Sequence, residues 1–266
     1  MNNLRWIDTH AHLYDEAFHT DRQEMIDRAV SAGVQTMLLP NVDSTTADAL
    51  HQLVSENPSS LKPMMGLHPC SVTSKINEEL AAIEAYVLAN KSNYVAIGEI
   101  GLDYYWDKTF IAEQKEAFIR QAEWANQLQI PRAIHSRESI NDLILILSQS
   151  IRVEKAGVFH CFTGSLDHAY KILDLGFYLG IGGVLTFKNA SIAKVIRSIG
   201  IDHLVLETDA PYLAPTPYRG KRNESSYIPI IGQYLSELCK IPIEEVARKT
   251  TENALKLFNL SDTSYA

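Results

Sequence analysis

The chain has 266 residues, 46% hydrophobic and 21% charged, which suits one barrel-sized domain over 1–266 with a full core. Its formal charge of −8 and a single dense basic cluster, Arg219, Lys221 and Arg222, argue against a protein that coats long nucleic acid, because counterion displacement there needs a basic stripe. The longest charge-free apolar stretch, Leu175 to Phe187, has 13 residues, short of the roughly 20 that span a membrane.

In chain order, β-rich runs are expected at Arg5–His10, Thr36–Asn41, Lys62–Leu67, Tyr94–Glu99, Pro131–His135, Gly157–Cys161, Phe177–Gly182 and His203–Glu207. Helical patterns lie between them. Ile26, Ala29 and Val30 share one helical face, as do Ile111, Phe118, Ala122 and Ala125. Unbroken strand–helix alternation predicts a parallel sheet, and about eight repeats in this length predict closure into a single (β/α)8 TIM-type barrel. An extra C-terminal helix near Ile243–Phe258 follows the last strand. Residues 1–15 carry no basic region followed by an apolar run, and Cys70, Cys161 and Cys239 form no framework, so a reducing cytoplasm is expected. Cys161 follows His160 directly. On a strand it would face the opposite side and serve as a small outward-facing filler.

Alternate residues of each run share a face. Strand one gives Trp6, Asp8 and His10, with His12 just beyond; strand three gives Met64, Gly66 and His68. Strand four gives Val95, Ile97 and Glu99; strand five Ala133, His135 and then Arg137; strand six Val158 and His160; strand eight Val205, Glu207 and Asp209. Most are small or apolar deep down and polar at the end, where a barrel builds its active-site mouth. A lone histidine is ordinarily a hydrogen-bonded core residue, and a lone carboxylate a cap or ion-pair partner. Several imidazoles and carboxylates converging with only Arg137 among them would repel or stay undersolvated, and bound cation resolves this. His10, His12, Glu99, His135, His160 and Asp209 make six candidate ligands. One tetrahedral zinc takes three or four, so two ions bridged by a carboxylate use the set naturally. The donor mixture suits zinc or manganese, while magnesium prefers oxygen.

Asp8-Thr9-His10-Ala11-His12-Leu13 resembles the opening motif of the TatD-type metal-dependent hydrolases, a branch of the amidohydrolase-like barrels. Gly66-Leu67-His68-Pro69, the run Ile97 to Tyr104, Ile134-His135-Ser136-Arg137 and His160 to Gly164 follow in that family's order. Glu207 to Leu213, Arg219 to Glu224 and the closing Asn253-Ala254 and Leu257-Phe258 complete the likeness across nearly the whole chain. Thr163 stands where the family often has serine, and Ser225 where proline is usual. The resemblance implies two divalent ions, magnesium, manganese or zinc. His10, His12, Glu99 and Asp209 would hold one, and Glu99 would bridge to another on His135 and His160. It also implies cleavage of DNA phosphodiesters, often from a 3′ end. The negative charge favours small or end-on substrates, so nucleic acid is expected as short or single-stranded ends, and no stable protein partner is expected.

Within that picture Asp209 would accept the proton of an attacking water while Glu99 bridges the metals. His68 would bond a phosphate or leaving oxygen, Arg137 would grip a phosphate, and Glu207 would orient a ligand histidine. Their ordinary alternatives are a structural histidine beside Pro69, a surface ion pair and a buried ion pair. Arg219, Lys221 and Arg222, in the loop after strand eight, would hold flanking phosphates, and Tyr104, Tyr105 and Trp106 could stack on a base. The rival chemistry is hydrolysis of a carboxylic ester, amide or lactone, including the ester of aminoacyl-tRNA. A non-enzymatic metal-stabilised scaffold fits poorly, because structural zinc sites are closed.

Overall fold

A computed structural model of the chain describes residues 4–90 and 93–261; residues 1–3, 91–92 and 262–266 of the expected 1–266 domain lie outside the described residues. Eight strands run in the order β1 (Trp6–Asp8), β2 (Val34–Leu39), β3 (Leu61–Met65), β4 (Ala96–Asp103), β5 (Arg132–Arg137), β6 (Val158–Phe159), β7 (Tyr178–Ile181) and β8 (Leu204–Leu206). Each pairs in parallel with the next. Helices α1 (Arg22–Ser31), α2 (Ala47–Glu56), α3 (Ile76–Ala89), α4 (Ile111–Leu128), α5 (Ile140–Gln149), α6 (Leu166–Asp174), α7 (Ile192–Ile199) and α8 (Ile228–Cys239) follow the strands in turn, and α9 (Ile243–Phe258) ends the fold. This is the TIM-type barrel, with the extra helix where the sequence put it. Among the described residues, no helix is long and apolar enough to cross a membrane.

Between β8 and β1 a seam replaces the ladder. Thr9 N–H donates to the Leu206 carbonyl at 3.0 Å, Asp209 N–H to His10 O at 2.9 Å, and His12 N–H to Ala210 O at 2.8 Å. Buried Asp8 takes both the N–H and the hydroxyl of Thr208, at 3.0 and 2.6 Å. The backbone that closes the barrel is thereby the backbone that carries His10, His12 and Asp209.

The barrel interior holds Ile7, Leu38, Met64, Ala96, Ala133, Val158, Tyr178 and Val205, one from each strand, and Ala254 and Phe258 of α9 join them. Each large apolar side chain buried this way contributes about 1.5–3 kcal/mol. A larger shell fills the space between strands and helices. Two expected faces differ. Trp6 lies in this outer shell, against Gly232 of α8, where a Cβ would come within 2.4 Å of its ring, and Ile7 points inward instead. Trp6 and Ile7 alternate regularly but on the faces opposite to those expected, and the change that turns His10 inward falls after Ile7. On β4, which extends four residues past Glu99, Ala96 faces inward and Ile97 outward, and a register shift between Ile97 and Ile100 restores Glu99 to the interior. Val30 also departs from the expected α1 face: Ile26 and Ala29 are buried, whereas Val30 is 44% exposed.

Arg132, at the start of β5, is fully buried. Its guanidinium donates to Ala122 O at 2.7 Å, to Asn126 Oδ1 at 2.5 Å and to Lys155 O. It fastens the end of α4 and the segment before β6 to the barrel.

Candidate metal centre

Glu99 stands at the middle of the mouth, 2% exposed, with histidines on both sides. Its Oε2 lies 3.1 Å from His10 Nε2 and 3.5 Å from His12 Nε2. Oε1 lies 2.9 Å from His135 Nδ1 and 3.0 Å from His160 Nε2. Asp209 Oδ1 completes the first group, 3.9 Å from His10 Nε2 and 3.7 Å from His12 Nε2. All six expected ligands therefore meet in one place. Donors about 2.1 Å from one ion sit roughly 3–3.5 Å apart, which is close to these separations. The trios His10, His12, Glu99 and His10, His160, Asp209 each bring their donor atoms within 4.8 Å of one another. The residues present fit divalent cations.

The outer nitrogens of the second group also face carboxylates. His135 Nε2 bonds Asp103 Oδ2 at 2.8 Å, and His160 Nδ1 lies 3.3 Å from Glu207 Oε1. Carboxylates behind ligand imidazoles fix the ring and raise its basicity. Glu207 thus stands where the sequence reading put it, and Gly180 of β7 makes its room, since a Cβ there would fall 2.2 Å from Glu207 Oε2. His68 is different. Its Nδ1 accepts the Cys70 N–H at 3.0 Å, so a neutral ring carries its hydrogen on Nε2, 3.4 Å from Glu99 Oε1. Burial lowers its pKa and keeps it neutral. His68 presents a donor to the mouth.

The mouth opens into a cavity of about 710 Å³. Arg137 lines it, its guanidinium 3.8 Å from the centre of the Tyr105 ring and 5.2 Å from that of Trp106. Arg219, Lys221 and Arg222 are not among its lining residues. Arg222 pairs with both carboxylate oxygens of Asp21 at 2.7 Å, Arg219 lies over Phe187 and Lys221 near Tyr218. The expected phosphate loop is, at Arg222, a clasp onto the chain ahead of α1. Cys161 also differs from expectation. It sits just past β6 in a left-handed turn, φ 45°, and its N–H donates to Glu207 Oε1.

The family model described as TatD related DNase matches residues 7–259. The chain belongs to the TatD family. It is 39% identical over 256 residues to the uncharacterized metal-dependent hydrolase YabD of Bacillus subtilis, covering 96% of this chain and 99% of that one. Against the uncharacterized metal-dependent hydrolase YcfH of Escherichia coli the identity is 34% over 260 residues, with 96% of each covered. The crystal structure of the TatD homologue YjjV from Escherichia coli superposes with a TM-score of 0.90 at 28% identity, over 97% of this chain and all of that one. The chain is a TatD-family metal-dependent hydrolase.

Two TatD-site residues escaped the sequence reading. Asp103 is 1% exposed; besides His135 it takes the N–H groups of Tyr105 and Trp106, at 2.8 and 3.0 Å. Its signal was a place on the same strand as Glu99, inside the motif already quoted. Tyr14 hydrogen-bonds His12 Nδ1 at 3.1 Å and donates to Pro40 O at 2.6 Å.

Protons compete with cations for this cluster. Burial alone would raise Glu99, but His68, His160 and His10 hold its carboxyl well below the usual range. Burial likewise opposes charge on His160, yet Glu99 and Glu207 lift its pKa well above normal. Burial pushes Asp209 up to about 6. A cation must displace the His160 proton, and below about pH 6 the Asp209 proton too. Metal uptake at pH 7 should therefore release protons, and affinity should fall as pH drops through 6. Titration calorimetry in buffers of different ionisation enthalpy measures this; uptake without proton release, at pH-independent affinity, would contradict it.

Proposed function

We propose that this TatD-family hydrolase cleaves phosphodiesters of nucleic acid, acting as a 3′-5′ exonuclease on short or single-stranded ends. The observation that carries the reading is the division of Glu99: each oxygen faces its own set of imidazoles, an arrangement for two adjacent divalent ions. His10, His12, Glu99 and Asp209 would hold one, and Glu99, His135 and His160 the other. Such ions, magnesium, manganese or zinc, supply positive charge that eases ionisation of water and offsets charge on phosphoryl oxygens.

The chain's own groups supply the rest. Asp209, at the rim of the cluster, accepts the proton of the attacking water. Neutral His68 keeps its Nε2 hydrogen and hydrogen-bonds it to the leaving oxygen, which takes up the proton that Asp209 received. Arg137 offers a fork of donors for a non-bridging phosphate pair. Glu207 holds His160 and Asp103 holds His135, so neither ring turns away as charge moves.

The test strips the protein of metal, restores magnesium, manganese or zinc singly, and offers end-labelled single-stranded DNA, RNA, an aminoacyl ester and a lactone. Shortening of DNA from its 3′ end, dependent on added metal, is the expected result. Turnover of the carbonyl substrates with intact DNA would overturn the reading in favour of carboxylic-ester chemistry.

A further inference from the structure

Two exposed aromatics flank the centre. Trp106 follows β4 and Tyr212 follows β8; in an eight-strand barrel these strands lie on opposite sides of the mouth. Both rings line the cavity, and they are 69% and 54% exposed. Large apolar faces left in water at a cavity wall mark a ligand surface more than a core. Each is pinned beside the cluster. Trp106 N–H donates to Asp103 Oδ1 at 3.0 Å, and Tyr212 N–H to Asp209 O at 2.8 Å. The Tyr212 ring stands 6.3 Å from that of His12. Arg137 lies on the Trp106 side, with Asp15 and Glu16 on the Tyr212 side.

We infer that Trp106 and Tyr212 are base-stacking walls, taking the unpaired bases on either side of the bond to be cut. The inference rests on the nuclease reading and names what that reading leaves open, the feature of the substrate that the mouth recognises. A cavity of about 710 Å³ falls in the range that encloses a ligand of this size. Bases within a duplex already stack on each other and present only edges, so walls on opposite sides of one mouth engage a strand whose bases are free. Arg137 takes a phosphate on the Trp106 side. Opposite it, Asp15 and Glu16 repel further phosphates, so the chain continues on the Arg137 side and stops near Tyr212.

The experiment measures binding of single-stranded oligonucleotides to the calcium-loaded protein, with Trp106→Ala, Tyr212→Ala and Trp106→Phe alongside, using strands with intact or abasic terminal nucleotides. Stacking is worth about 1–3 kcal/mol per base, so each alanine variant should weaken binding of the intact strand by about 5- to 150-fold. Removing the base that one wall takes should weaken the unaltered protein similarly, yet add little to the alanine variant of that same wall, and Trp106→Phe should recover most of the affinity. Equal affinity for abasic and intact strands would overturn the inference while leaving a phosphodiesterase in place. Absence of binding and cleavage of any nucleic acid would overturn both.

Discussion

Glu99→Gln should strip the protein of its cations and lower turnover by roughly a thousandfold or more, the factor that corresponds to several kcal/mol of lost charge stabilisation. The side chain keeps its shape, so the substitution isolates charge. Glutamine offers one oxygen and one NH2 group, so it cannot serve both sides. His10 and His12 face one oxygen of Glu99, His135 and His160 the other. Whichever way the amide turns, one set of imidazoles meets a donor. The protonated His160 also loses the carboxylate that sustains its charge. Elemental analysis with manganese titration, followed by turnover on end-labelled DNA, measures both losses. A variant that binds two equivalents and keeps its rate would remove Glu99 from the centre.

Arg132→Leu should leave the chemistry alone and lower stability by about 3 kcal/mol, through the carbonyls it leaves unpaired and the clasp it removes. For a chain of this size that corresponds to roughly 6–12 °C in Tm. Arg132 spans Ala122, Asn126 and Lys155, three points that leucine cannot bridge. Burial brings its pKa down to about 10, so the group stays charged at neutral pH. The favourable contribution is thus flat across physiological pH, and calorimetric scans at pH 6 and 8 should show the same loss. Unchanged Tm in the variant would show that water replaces the guanidinium without penalty.

How much of this was legible in the sequence follows from how regular each strand is. On β5, β6 and β8 the alternation runs unbroken, and Ala133 with His135, Val158 with His160, and Val205 with Glu207 point as their spacing says. On β4 a register shift intervenes, and on β1 the inward face changes between Ile7 and His10; no residue type announces either. Trp6 and Ile97 were accordingly placed on the wrong face, although His10 and Glu99 still reach the mouth. Asp103 was missed because its value lies in a contact with His135 across neighbouring strands. Arg222 looked like a phosphate ligand because charge density in a loop is visible, whereas its partner Asp21 lies 201 residues earlier. Which side chains reach the mouth was written locally; partnership across the fold was not.

Phe258 and Ala254 plug the far end of the barrel beneath the ring of inward side chains. Traffic through the centre is consequently two-way on one lane. A released product must back out past Trp106 and Tyr212, the same doorway by which the next substrate arrives, and a product slow to leave holds up the queue behind it.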